Sequence, residues 1–154
     1  MNVIHPLTNL ISTSMAKAQH LAIEEVTADL NLRRGTVARI LLTVAFADAS
    51  LRDRIQDEAV AQIGATFTTR TDRCAVQVLV NDETEAALMS IAQSTGAGRG
   101  EVARAALIVA VAELDRFHEA FRAEAQAHAA AKARSKQQLI NRLSRINGTN
   151  EVQA

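Results

Sequence analysis

The chain contains neither tryptophan nor tyrosine, and its four aromatic residues are all phenylalanine. That scarcity disfavours an aromatic-lined ligand pocket or a sandwich core. It leaves Ala, Leu, Ile and Val to fill the interior, a composition suited to closely packed helices. One proline and six glycines among 154 residues leave few interruptions. The lone cysteine, Cys74, excludes an intramolecular disulfide and a cysteine-rich metal framework, and fits a reducing compartment. Long apolar runs are also missing: those around Ile40–Ala47 and Ala105–Ala112 fall well short of the ~20 residues that span a bilayer. The N-terminus lacks the basic-then-apolar pattern of a signal peptide. A cytoplasmic protein with no membrane partner is the expectation.

Catalytic signatures are scarce too. His5, His20, His118 and His128 are scattered without metal-ligand spacing, and Cys74 lies on the core face of a predicted strand with no base near it in sequence. Gly96, Gly98 and Gly100 precede a helix but lack the surrounding motif and the lysine of a phosphate-binding loop. The sequence therefore predicts no enzyme, no cofactor and no metal. Net charge is zero, whereas nucleic-acid binders are more often basic. The charge is unevenly spread, however: from His128 to Ile146 stand Lys132, Arg134, Lys136, Arg142 and Arg145 without one acid.

What the chain does have is a repeat. Arg34 to Ala47 (RGTVARILLTVAFA) returns sixty-five residues later as Arg99 to Ala112 (RGEVARAALIVAVA), with nine of fourteen positions identical and no gap. Both copies are apolar nearly all round, the pattern of a helix buried on most sides. Upstream, the same offset superposes Ala22 on Ala87, Ile23 on Leu88 and Val26 on Ile91, the inner stripes of two amphipathic helices, Ala16–Leu30 and Glu83–Ser94. Further upstream, Arg73–Val80 alternates as a strand with one face buried, while Thr8–Met15 is a weaker strand. Asn81 and Asp82 are good helix caps, and Gly96 to Gly98 breaks the chain before the second buried helix. The first buried helix is expected to run toward Ile63 with a break near Ser50, and Gly64 to stop it. Met1–Pro6 reads as a loose arm and Ala65–Asp72 as the connection.

Each unit therefore reads strand, helix, short turn, buried helix, and such a unit needs a partner copy to close its core. The predicted fold class is mainly α with a short two-stranded antiparallel ribbon. Its predicted segments are a first unit over residues 8–64, a second over 65–114, a basic helix over 115–146 and a flexible tail over 147–154.

The pattern resembles the ribbon-helix-helix DNA-binding family, of the Arc and methionine-repressor type, with two units in tandem on one chain. Val76 to Val80 stand as ribbon, Asp82 and Glu83 open a first helix, Gly98 lies in the turn, and Glu101, Val102 and Arg104 open the second. In the first unit, Leu30 to Arg39 matches the family's turn and second-helix entry, although the ribbon is a poor match. Gly35 and Gly100 stand where the family often has Ser or Thr.

The resemblance implies a ribbon lying in the major groove of double-stranded DNA. The outward residues would be Arg73, Ala75, Gln77 and Leu79 on the second strand and Leu10, Ser12 and Ser14 on the first. Gln77 suits adenine, Arg73 guanine or phosphate, and Leu79 a thymine methyl. The helix entries at Arg33, Arg34, Gly35 and Thr36, and at Arg99 and Gly100, would face the DNA backbone. Lys132, Arg134 and Lys136 would extend that contact through the tail. Glu101 is expected to serve its own helix, and Arg39 and Arg104 to form repeated salt bridges with acids. Because the two ribbon strands differ, the expected target is non-palindromic. The roles implied are transcriptional repression or accessory work at a plasmid transfer origin in a bacterium. The alternative is an antitoxin-like interaction module in which the C-terminal helix mediates self-association or binds a protein partner.

Overall fold

The computed structural model describes residues 7–65 and 72–152, so the predicted arm Met1–Pro6 and most of the Ala65–Asp72 connection lie outside the described residues. The chain divides into two compact units, Met1–Phe121 and Arg122–Ala154.

The first unit is mainly helical around one two-stranded antiparallel sheet. Strand β1 (Asn9–Ala16) leads into α1 (Lys17–Leu30), α2 (Arg34–Ala47) and α3 (Ala49–Gln62). Strand β2 (Arg73–Val80) leads into α4 (Asp82–Thr95) and α5 (Arg99–Ala112). A 3-10 turn, Leu114–Phe117, then precedes α6 (His118–Val152). The sixty-five-residue offset maps α1 onto α4 and α2 onto α5 at both ends. It also maps the residue that ends α1, Asn31 with φ 54°, onto the residue that ends α4, Gly96 with φ 77°. Left-handed backbone at that position closes the helix and turns the chain toward the next one.

The strands pair along their whole lengths, with Asn9 opposite Val80 and Ala16 opposite Arg73. Ser12 lies opposite Gln77, which is also its counterpart in the repeat, so the pseudo-two-fold axis passes through the middle of the ribbon. Below the ribbon, packing is exchanged between repeats: α5 lies against β1, and α2 against β2. Neither repeat buries its second helix alone.

The core forms where the ribbon's inner face meets α2 and α5. Ile11, Met15, Val78 and Val80 are buried above Val37, Leu41, Leu42, Val102, Ala106 and Leu107. Where α2 carries Ile40 and Leu41, α5 carries Ala105 and Ala106, all four buried. This large-and-small pairing favours α2 against α5 over either helix against its own copy.

Two boundaries differ from those expected from sequence. The break after α2 falls at Asp48 rather than Ser50, because the Asp48 carboxylate accepts from the Ser50 and Leu51 backbone NH groups at 2.9 and 3.2 Å and starts α3 as a separate helix. Helix α5 stops at Ala112, short of the predicted segment end at residue 114, and the 3-10 turn follows it. Phe117 and Phe121, with ring centroids 6.3 Å apart, are both buried in the first unit. In the second unit, α6 continues to Val152, past Asn147 where fraying was expected.

Candidate nucleic-acid interface

A two-stranded ribbon covered on one side must present alternate side chains on the other. Here the outer rows are Leu10 with Leu79, Ser12 with Gln77, Ser14 with Ala75, and Ala16 with Arg73. Leu10, Ser12, Arg73, Ala75, Gln77 and Leu79 are exposed, and Ser14 is half-buried. All seven expected base-contact residues thus share one face. The two ends of that face differ: Leu10 and Leu79 are 50% and 47% exposed, an apolar pair in open solvent, whereas the other end carries Arg73 and small side chains. Asp82 sits near the apolar end, accepting from Asn9 Nδ2 at 2.8 Å.

The starts of the two buried helices flank the ribbon, one at each edge. At the β1 edge, Arg99 Nη1 donates to the Leu10 carbonyl at 2.9 Å, and Thr13 Oγ1 donates to the Gly100 carbonyl at 2.6 Å. A Cβ on Gly100 would meet the Ser12 carbonyl oxygen at 3.2 Å, so glycine is what lets α5 approach β1 so closely. At the β2 edge the fit is looser. A Cβ on Gly35 would meet nothing within 4 Å, and a recess of about 210 Å³ opens there, lined by His20, Arg34, Gly35, Ala75 and Gln77 among others.

Charge divides the two helix starts more sharply than shape does. Arg99 is held by Glu85 in a bidentate pair, with Nε to Oε1 at 2.8 Å and Nη2 to Oε2 at 2.6 Å. Such a pair neutralises the guanidinium and fixes its plane. The α5 start is also closed by its own acid: Glu101 accepts from the Gly98 NH at 2.8 Å and, across the connection, from the Gly64 NH at 2.9 Å. Those two backbone donors, the Gly98 NH first, hold the Glu101 carboxyl below its ordinary value, with Arg104 adding to the effect. The α2 start has neither device. Its N-cap is Arg33, without a side-chain cap, and its first turn has no acid. Arg33, Arg34 and Gly35 are exposed, Thr36 is half-buried, and Arg34 makes a single 3.6 Å ion pair with Glu24. Positions 20 and 85 are equivalent in the repeat, so a histidine stands in the first repeat where Glu85 stands in the second.

Among its hydrogen bonds, Arg104 donates to the Ser14 carbonyl at 2.8 Å, the Ser14 hydroxyl at 3.2 Å and Gln62 Oε1 at 3.3 Å, the first two pinning β1 to α5. The Ser14 hydroxyl is thereby partly committed inward. Lys132, Arg134 and Lys136 are exposed on α6 within the second unit.

Among the described residues, no three His, Cys, Asp or Glu side chains gather as a metal site, and no helix is long and apolar enough to cross a membrane. Compared with family models, with curated proteins and with solved structures, the chain gives no match in any of the three.

Proposed function

We propose that this chain is a tandem ribbon-helix-helix protein that binds double-stranded DNA through the outer face of its ribbon and has no catalytic step. The observation that carries the reading is the coincidence of three features. A paired ribbon has an exposed outer face, a helix start lies at each of its edges, and a pseudo-two-fold axis runs through its centre. A two-stranded ribbon fits the width of the major groove, and helix starts beside it meet the phosphates on either side.

Within that reading Gln77 sits at the centre of the site and suits adenine. Arg73 marks one end for guanine, and Leu10 with Leu79 marks the other for thymine methyls. Backbone contact is uneven. Arg33 and Arg34 carry the phosphate contact at the α2 start, while Arg99, matched by Glu85, mainly orients α5. Both promoter repression and marking of a transfer origin use such a site.

Mobility-shift titration on plasmid or genomic fragments tests the proposal. Gln77→Ala and Arg73→Ala are expected to lower specific affinity by about 1–3 kcal/mol each while leaving non-specific binding nearly unchanged. Unaltered affinity and sequence preference in both variants would remove the ribbon from the mechanism.

A further inference from the structure

The second unit carries a pattern that ribbon reading leaves unused. Along α6, Lys132, Lys136, Leu139, Leu143 and Ile146 follow one another at alternating spacings of four and three residues, which places them on one seam of the helix. Ala125 and Ala129 continue the same spacing upstream. The three apolar members are 57%, 51% and 57% exposed, and Ile140 beside them is 45% exposed, so the seam is uncovered for its whole apolar length. Gln137 and Asn141, joined at 3.0 Å, lie outside the seam.

Charge decides what such a seam accepts. In a parallel pair of two copies, Lys132 and Lys136 would face their own counterparts at core positions. In an antiparallel pair overlapping along the whole seam they would face leucine and isoleucine. Both arrangements bury ammonium groups without a counter-charge, which disfavours self-pairing. A second helix with acids opposite the lysines and apolar residues opposite Leu139, Leu143 and Ile146 satisfies every position. Arg142, flanking the seam, reinforces the preference for an acidic surface.

We propose that α6 is a docking helix for an acidic amphipathic helix of another protein, paired through this lysine-then-leucine seam. The proposal stands independently of DNA binding by the ribbon.

The test uses the full chain and a synthetic heptad peptide bearing Glu opposite Lys132 and Lys136 and Leu opposite the three apolar positions. Titration by fluorescence anisotropy is expected to give one-to-one binding. Affinity should fall at least about tenfold in the double variant Lys132→Glu, Lys136→Glu and return when the peptide's glutamates are exchanged for lysines. Leu143→Ser should weaken both peptides. All these positions are exposed, and circular dichroism checks that the variants keep their helix content. Failure of the wild-type chain to bind the acidic peptide overturns the proposal. So does sedimentation as a dimer that Leu143→Ser dissociates, which would make a second copy the occupant. Equal binding to vesicles containing anionic phospholipid, lost in the same variants, would assign the seam to a lipid surface. Loss of DNA affinity in the lysine variant without peptide binding would assign it to phosphate.

Discussion

Asn31 and Gly96 do the same work in the two repeats with different chemistry. Both adopt left-handed backbone and accept the chain's turn from one helix to the next. Asparagine tolerates that conformation and glycine adopts it freely, while a β-carbon without a local polar group is strained there by about 1–2 kcal/mol. Gly96→Ala should therefore cost about 1 kcal/mol in urea unfolding, and Asn31→Gly should be neutral or slightly stabilising. The Glu101 carboxylate offers a second residue-scale test. Its folded pKa is held below the ordinary 4.5, so its contribution is complete above the unfolded value and is lost as pH falls through the lowered folded value. Glu101→Gln should flatten the acid limb of the stability profile and leave its neutral region with little pH dependence. Arg99 yields a functional prediction. Glu85→Gln releases its guanidinium from the bidentate pair, and on the proposed DNA-binding reading the salt slope of binding should steepen by about one. Arg33→Ala or Arg34→Ala should flatten it by a similar amount.

At the scale of elements, the exchanged packing of α2 on β2 and α5 on β1 sets the cost of core changes. Leu41 is fully buried, and Leu41→Ala is expected to destabilise by about 2–5 kcal/mol. Ala106→Leu puts a large side chain on the small side of the pair and should cost about 1–3 kcal/mol by overpacking. The helices themselves were legible in the sequence because their apolar periodicity is local and written twice; the offset found there fixes α1 with α4 and α2 with α5. Strand β1 was harder to read. Its inner row includes Thr13, and its position is set by Thr13 bonding Gly100 and by Ser14 accepting from Arg104, contacts eighty-seven and ninety residues apart that leave no local period. The outer face of β2 is legible from alternation alone. The pairing of Arg99 is not, since its partner lies fourteen residues upstream in a different helix. A signal did exist: the repeat keeps arginine at 34 and 99 but replaces His20 by Glu85.

At the scale of the whole molecule, two copies of a strand-helix-helix unit on one chain make the ribbon an intramolecular structure. Unfolding of the first unit should then be independent of protein concentration over about a hundredfold range, unlike that of an obligate dimer built from separate chains. The same covalent link permits the two halves to diverge, and they have. One end of the outer face is apolar and the other basic, one helix start is bare and the other closed by Glu101. On the proposed reading, a DNA site contacted by this surface has no reason to be a palindrome. Selection of binding sites from a pool of random duplex DNA measures that directly. DNA reading by two diverged strands predicts one enriched motif, asymmetric about its centre, whose central base preference is lost in Gln77→Ala. A perfect palindrome, or no enriched motif at all, would contradict it.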